Sequence, residues 1–331
     1  MIRHRAWTLP VAVILILPFV AACGGAADDV RDLLFGNGGS IPRGKLGVQV
    51  ELADSPKGNY AAQLADVRGT LDLRHVRSSF TFDEFYLPRE SATPNFARYD
   101  AMLAALPADV DLLPILAYAP AWLANRPDWK NVFVGRYVIP VLDRYGRDPR
   151  IAGWEIWNEP DAFCNGRVAP AGVLDCSAAD YVDLVSRVAP EIRARSGARV
   201  VAAATTSLNQ SFPENFEFNQ RMVDGGLLPF IDVYNIHWYS RQLEKLTFGG
   251  IADFLNRTRK PVWDTESGET GSNEQLSFAE DVFPALEDEI DRLERIYVYT
   301  YFDGLGPAGT FGLVAADGTE SDLYRFLRDA R

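Results

Sequence analysis

The stretch Ile151-Ala-Gly-Trp-Glu-Ile-Trp-Asn-Glu-Pro-Asp161 decides how the rest of the chain is read. It opens as an apolar, aromatic run suited to a buried strand. It closes at Asn158-Glu159-Pro160, where proline has no N–H to give to a sheet ladder. A carboxylate is therefore expected at the C-terminal end of a strand. Downstream, Pro261-Val-Trp-Asp-Thr-Glu266-Ser-Gly268 has the same design, a short β-prone run ending in glutamate and a glycine turn.

Working outward from these two, short β-prone runs alternate with longer amphipathic segments. The expected strands are Lys45–Val50, Leu73–Arg77, Leu112–Tyr118, Ile151–Trp157, Val200–Ala204, Val233–Tyr239, Pro261–Glu266 and Tyr297–Phe302. Helical patterns lie near Tyr60–Gly69, Phe96–Leu106, Trp129–Tyr145, Ala178–Ser196, Asn215–Asp224, Leu243–Thr258, Glu274–Leu286 and Asp322–Ala330. Pro140 and Pro190 should kink or end two of these helices. Eight such units between Lys45 and the C-terminus predict an α/β protein, a (β/α)8 TIM barrel. Such barrels carry their sites at the C-terminal ends of the strands, where strands four and seven would present Glu159 and Glu266.

Paired carboxylates at one barrel mouth suit acid/base and nucleophilic work on a glycosidic bond. The residues also carry a resemblance: Trp157-Asn158-Glu159-Pro160 with Thr265-Glu266 resembles the clan A glycoside hydrolases, families 39 and 5 in particular. The resemblance implies a retaining enzyme acting on a β-linked polysaccharide or oligosaccharide, with Glu159 as acid/base and Glu266 as nucleophile. It further implies that Asn158 binds the sugar 2-hydroxyl, that Tyr239 hydrogen-bonds the nucleophile, and that His237 touches substrate or the acid/base. A turn role for Asn158 and a packing role for His237 are the plainer alternatives. Regular alternation would point Asn158 away from Glu159, so the strand must bulge or end there if both are to reach one sugar.

His237 and Tyr239 are two apart and share a strand face. The resemblance also implies that Arg77, at the end of strand two, supports Glu266, its charge favouring the ionised carboxylate; it could instead neutralise Glu155, which shares the face of Glu159 at a deeper level. Trp122, Trp238, Tyr299, Tyr301 and Phe302 are candidate sugar platforms, any one of which could instead be core. The resembling families often place a tryptophan at the end of strand eight; this chain has none there.

The chain has 331 residues, 47% hydrophobic and 24% charged, with a net charge of −12. A nucleic-acid binder would need a basic stripe, and none is present. Outside the N-terminal region the histidines are His75 and His237, and there is no H-E-x-x-H, paired Cys-x-x-Cys or phosphate-binding glycine loop, so no metal or cofactor is expected. There are two rivals: a catalytically silent surface glycan-binding protein, against which the intact Glu159, Glu266, Asn158, His237 and Tyr239 weigh, and a transglycosylase that remodels cell-surface glycan, which would use the same residues.

At the N-terminus, Arg3, His4 and Arg5 precede an apolar run from Leu9 to Ala22 broken by Pro18, which reads as a secretory signal over residues 1–22. Val20-Ala-Ala-Cys23 resembles a bacterial lipobox, implying a lipid on Cys23 and a membrane anchor at the outer membrane or cell surface; plain cleavage after Ala22 is the alternative. Residues 23–44 read as a tether. Cys164 and Cys176 remain as an even pair in an exported chain, so a disulfide is expected, with two free thiols as the alternative. A tethered monomer is the simplest assembly.

Overall fold

The structure is a computed structural model that describes residues 40–51, 59–123, 126–162, 174 and 177–330. The expected signal, the lipid site Cys23 and the Cys164–Cys176 bridge lie outside these residues. The described chain begins to pack before Lys45: Ile41 is buried, and the Arg43 guanidinium holds the carbonyls of Leu71 and Leu327.

Eight strands form one sheet: β1 Leu46–Gln49, β2 His75–Thr81, β3 Asp111–Ala117, β4 Gly153–Ile156, β5 Arg199–Ala202, β6 Tyr234–Tyr239, β7 Val262–Gly268 and β8 Leu293–Val298. They run in the order β5-β4-β3-β2-β1-β8-β7-β6. A parallel bridge between Val201 and Val233 returns β5 to β6, so the sheet closes on itself. Helical segments fill every crossover and follow β8, which makes the chain a (β/α)8 barrel. Capping side chains start several of them: Asn59, Ser177 and Ser321 accept from the backbone N–H of Ala62, Asp180 and Tyr324 at 3.2, 3.0 and 3.1 Å.

Three elements differ from the sequence reading. The helix from Trp129 to Tyr145 widens into a π turn at Val134–Val138 just before Pro140, whose missing N–H cannot bond the Arg136 carbonyl; Tyr86 hydroxyl donates there instead at 3.4 Å. Pro190 does not end its helix, which continues to Arg195. The expected helix over Leu243–Thr258 is two, Leu243–Thr247 and Ile251–Thr258, parted at Gly249-Gly250, with Gly250 at a φ of 79° that favours glycine.

The last strand is the largest correction. It starts at Leu293, not Tyr297, and ends at Val298, so Tyr299, Tyr301 and Phe302 follow the strand. Charges at its start obscured it, because Glu294 and Arg295 look like loop residues. In the fold Arg295 pairs with Asp111 at 2.8 Å, and Glu294 accepts from the Trp263 indole at 3.0 Å.

Leu113, Val201, Val233, Trp263 and Tyr297 pack as one buried cluster inside the barrel. Glycines make room for it: a Cβ on Gly47 would lie 2.6 Å from the Tyr297 ring, and one on Gly153 would lie 2.7 Å from Val201. Along the strands toward the mouth, this apolar plug gives way to the buried polar residues Arg77, Glu155 and Asn235.

Candidate active site

The residues at the C-terminal strand ends enclose a cavity of about 610 Å³. Glu159 and Glu266 both line it, with Asn158, Tyr239 and Tyr299. Each glutamate reaches the cavity through a break in regular strand geometry.

On β4 the ladder stops at Ile156, and the next residues turn sharply: Trp157 has φ 71° and Glu159 φ 46°. These left-handed conformations cost about 1–3 kcal/mol each for residues with a Cβ, and surrounding structure must hold them. Trp157 is wedged in an aromatic cluster with Tyr118, Trp129 and Phe133 at centroid distances of 5.8–6.0 Å, and the Glu159 N–H donates to the Ala204 carbonyl at 3.0 Å. Asn158 and Glu159 can then line one cavity although they are adjacent.

On β7 the register against β6 slips: Ile236 pairs with Asp264, but His237 pairs with Glu266. Thr265 is the extra residue. Trp263 joins the inner plug and Glu266 lines the cavity, so both face inward although three apart.

Arg77 binds the site together from below. Its Nε and Nη2 donate to the two oxygens of Glu155 at 2.7 and 2.8 Å. Nη2 also donates to Asn158 Oδ1 at 2.7 Å, and Nη1 to Glu266 Oε1 at 2.5 Å and to Gln49 Oε1. Arg77 therefore serves both partners that the sequence left as alternatives. Asn235 donates to Glu155 at 3.0 Å, and Asn158 Nδ2 donates to the Tyr118 hydroxyl at 3.0 Å.

Two residues of β6 face the carboxylates. Tyr239 hydroxyl donates to Glu266 Oε2 at 2.7 Å, and His237 Nδ1 lies 3.1 Å from Glu159 Oε1 and 3.7 Å from Glu266 Oε2. A ligand atom from each of Glu159, His237 and Glu266 lies within 4.8 Å of the others. This trio is the one group among the described residues with metal-ligand geometry, but Arg77 and Tyr239 already occupy Glu266 and a cation stands against it.

The two carboxyls are pushed apart in acidity. Burial raises the pKa of Glu159; the His237 hydrogen bond opposes this, and the nearby Glu266 charge adds to the rise, which prevails. Burial would raise Glu266 too, but His237, Arg77 and Tyr239 together hold it below the ordinary carboxylate value. Tyr239 is held well above the usual phenol range by burial and by the Glu266 charge, so it stays a donor. His237 is raised, because Glu266 and Glu159 outweigh its burial. One group thus favours its protonated form while the other favours its anion.

Not every expected residue comes to the site. Trp238 alternates away from His237 and Tyr239 and is fully buried, so it is not a sugar platform. Tyr301 is also fully buried, with its hydroxyl donating to Asp66 at 3.1 Å, behind the barrel wall rather than in the cavity. Trp122 donates its indole to the Leu87 carbonyl at 2.8 Å and does not line the cavity. Tyr299 does line it, edge-on to Tyr239 and Phe311 at 6.1 and 5.9 Å. Gln49, Glu51, Tyr118 and Phe311 line or support the site without having been singled out. For Gln49 and Glu51 the signal was available: they are two apart at the end of the first strand, the same pattern used for His237 and Tyr239.

Residues 156–323 match the profile of a family described as "Glycosyl hydrolase catalytic core", a span of just over half the chain that includes both glutamates. No curated protein matches the sequence. Solved structures with a similar fold include a family 39 glycoside hydrolase from the gut symbiont Bacteroides cellulosilyticus WH2, at 17% identity and a TM-score of 0.59, covering 86% of this chain and 62% of that one. The chain therefore spans about three fifths of that relative. The endo-1,4-beta-mannanase of Rhizomucor miehei aligns at 19% identity and a TM-score of 0.60, over 80% of this chain and 88% of that one. A monomeric beta-xylosidase from Caulobacter crescentus CB15 aligns at 15% identity and a TM-score of 0.63, over 88% and 68%. At such identities the likeness is one of fold.

Proposed function

We propose, from the premise that this chain belongs to the glycosyl hydrolase catalytic core family, that it cleaves a β-linked polysaccharide or oligosaccharide with retention. The observation that carries the reading is the pair Glu159 and Glu266, with oxygens within 4.8 Å of each other and acidities displaced in opposite directions. Retaining enzymes set their carboxyls about 5–5.5 Å apart, whereas inverting ones need about 6.5–9.5 Å to admit a water between them. The mannanase and xylosidase of similar fold act, by their names, on β-linked sugars, which favours that linkage here.

In the first step a Glu266 oxygen attacks the anomeric carbon while protonated Glu159 gives its proton to the departing glycosidic oxygen. Arg77 and Tyr239 hold Glu266 ionised and aimed. In the second step Glu159, now a carboxylate, takes a proton from water, and the water oxygen displaces Glu266. Asn158 is positioned by Arg77 and Tyr118 to meet the sugar 2-hydroxyl. An NMR time course on a substrate that the enzyme cleaves tests the reading: the first-formed anomer should keep the substrate's configuration. Appearance of the opposite anomer first would refute it.

We also propose that the protein is exported and anchored by a lipid on Cys23, supported by the Val20-Ala-Ala-Cys23 sequence. One acyl chain holds a membrane only marginally, so a stable anchor needs more than one. Cys23→Ser should release the protein to the soluble fraction; equal membrane retention would sink the idea. A Cys164–Cys176 disulfide completes this proposal, and recovery of both as free thiols after expression in an oxidising compartment would count against it.

A further inference from the structure

The cavity carries a third carboxylic acid that the two-step chemistry does not use. Glu51 follows β1 and lines the same space as Glu159 and Glu266. Its orientation is set by a relay from the barrel centre. Arg77 donates to the carbonyl oxygen of the Gln49 side chain, which obliges Gln49 to present its amide nitrogen elsewhere, and that nitrogen donates to Glu51 Oε1 at 2.6 Å. Oε2 of Glu51 is left without a donor among the described residues. A carboxylate is an acceptor, so the group that completes it is a donor, and a sugar hydroxyl is one.

The described lining of the cavity offers an anion little in return. Among the described residues lining it there is no lysine or arginine. Arg77 lies beneath, but a guanidinium has five N–H groups and all five are committed to Glu155, Asn158, Gln49 and Glu266. His237 is enclosed between Glu159 and Glu266. Among the described residues, a carboxylate entering on a sugar would meet Glu51 and Glu266 without a cation free to receive it. At a separation of about 6 Å and an effective dielectric of about 20, each ionised like charge lowers affinity by roughly a hundredfold. Burial raises the pKa of Glu51, with the Gln49 hydrogen bond and the Arg77 charge opposing, so its share of that repulsion grows as pH rises.

We propose that this subsite selects an uncharged sugar: Glu51 accepts hydrogen bonds from ring hydroxyls, and Glu51 with Glu266 forms an acidic wall that excludes uronic acids. The inference rests on the glycosidase reading above and names the substrate class of that same site.

Matched nitrophenyl β-glycosides that differ only in a hydroxymethyl against a carboxylate test it: glucoside with glucuronide, galactoside with galacturonide. In at least one pair the neutral member should be turned over with a kcat/KM about a hundredfold or more above its anionic twin. Glu51→Gln should narrow that ratio by about tenfold or more and raise KM for the neutral sugar. A uronide cleaved as well as its neutral twin, or a ratio unmoved by Glu51→Gln, overturns the inference and leaves the glycosidase reading standing. Should Glu51→Gln not fold, the wild-type ratio decides the charge selection by itself. If no member of any pair is turned over and Glu266→Gln behaves as wild type throughout, the glycosidase reading fails and this inference with it.

Discussion

Arg77 donates to Glu266 at 2.5 Å, a contact that shares one guanidinium with Glu155. The group that holds the proposed nucleophile ionised is thus also the charge partner of a fully buried carboxylate one layer down. Removing it should disturb fold and chemistry together, for separable reasons. Arg77→Met leaves Glu155 unpaired in the barrel interior, and breaking such a pair costs about 3–5 kcal/mol. Adding Glu155→Gln should restore part of that stability in denaturant unfolding but none of the activity. Equal loss in the single and double variants would show that the pair is not the source of the instability.

The carboxyls should be distinguishable by leaving group. Glu266→Gln is expected to remove turnover on every substrate. Glu159→Ala should lose roughly 10²–10⁴-fold on unactivated glycan, where acid catalysis is needed, yet still form the covalent intermediate from nitrophenyl glycosides. Azide should then accelerate product release and yield a β-glycosyl azide. If azide rescues Glu266→Gln in this way and not Glu159→Ala, the two roles are exchanged.

The pH profile follows from the displaced acidities. Glu266 has a lowered pKa, so kcat/KM rises as pH climbs through that value and the nucleophile ionises; Glu159 has a raised pKa, so activity falls as pH passes it and the acid is lost. His237 lowers both groups. In His237→Asn both limbs of the bell should therefore move to higher pH. A fixed profile in this variant would exclude His237 as an electrostatic partner of the pair.

Tyr239→Phe removes one donor from Glu266 and leaves the ring in place. Its acid limb should shift upward, and kcat should fall about ten- to a hundredfold, consistent with loss of a hydrogen bond to a charged group worth about 1.5–3 kcal/mol. Loss of activity with no shift of the acid limb would point to substrate contact alone.

The two tyrosines after β8 should behave differently. Tyr301→Phe deletes the bond to Asp66 and should cost about 1 kcal/mol of stability with kinetic constants unchanged. Tyr299→Ala removes a cavity wall and should raise KM. Steady-state kinetics on both variants, beside their thermal midpoints, checks this.

Much of the barrel was legible from local pattern. Period-two runs that end in Asn158-Glu159-Pro160 and Thr265-Glu266-Ser267-Gly268, spaced by amphipathic segments, marked the fold class and brought both glutamates to one end of the sheet. Such signals are local because a strand's pleat and a proline's missing N–H act within a few residues. The tertiary structure decided what depends on pairing. In a regular strand Trp263 and Glu266 would face opposite sides; only the slip of β7 against β6 at Thr265 turns both inward, and register is a property of two strands, not one. The left-handed turn at Trp157 is likewise held by aromatic rings from well earlier in the chain, in the crossover from β3 to β4. Strand β8 hid behind Glu294 and Arg295, whose charges become acceptable only beside Trp263 and Asp111. The carboxylates were written in the sequence, but their direction, and the Arg77 charge that separates their acidities, came from chain segments brought together by the closure of the barrel.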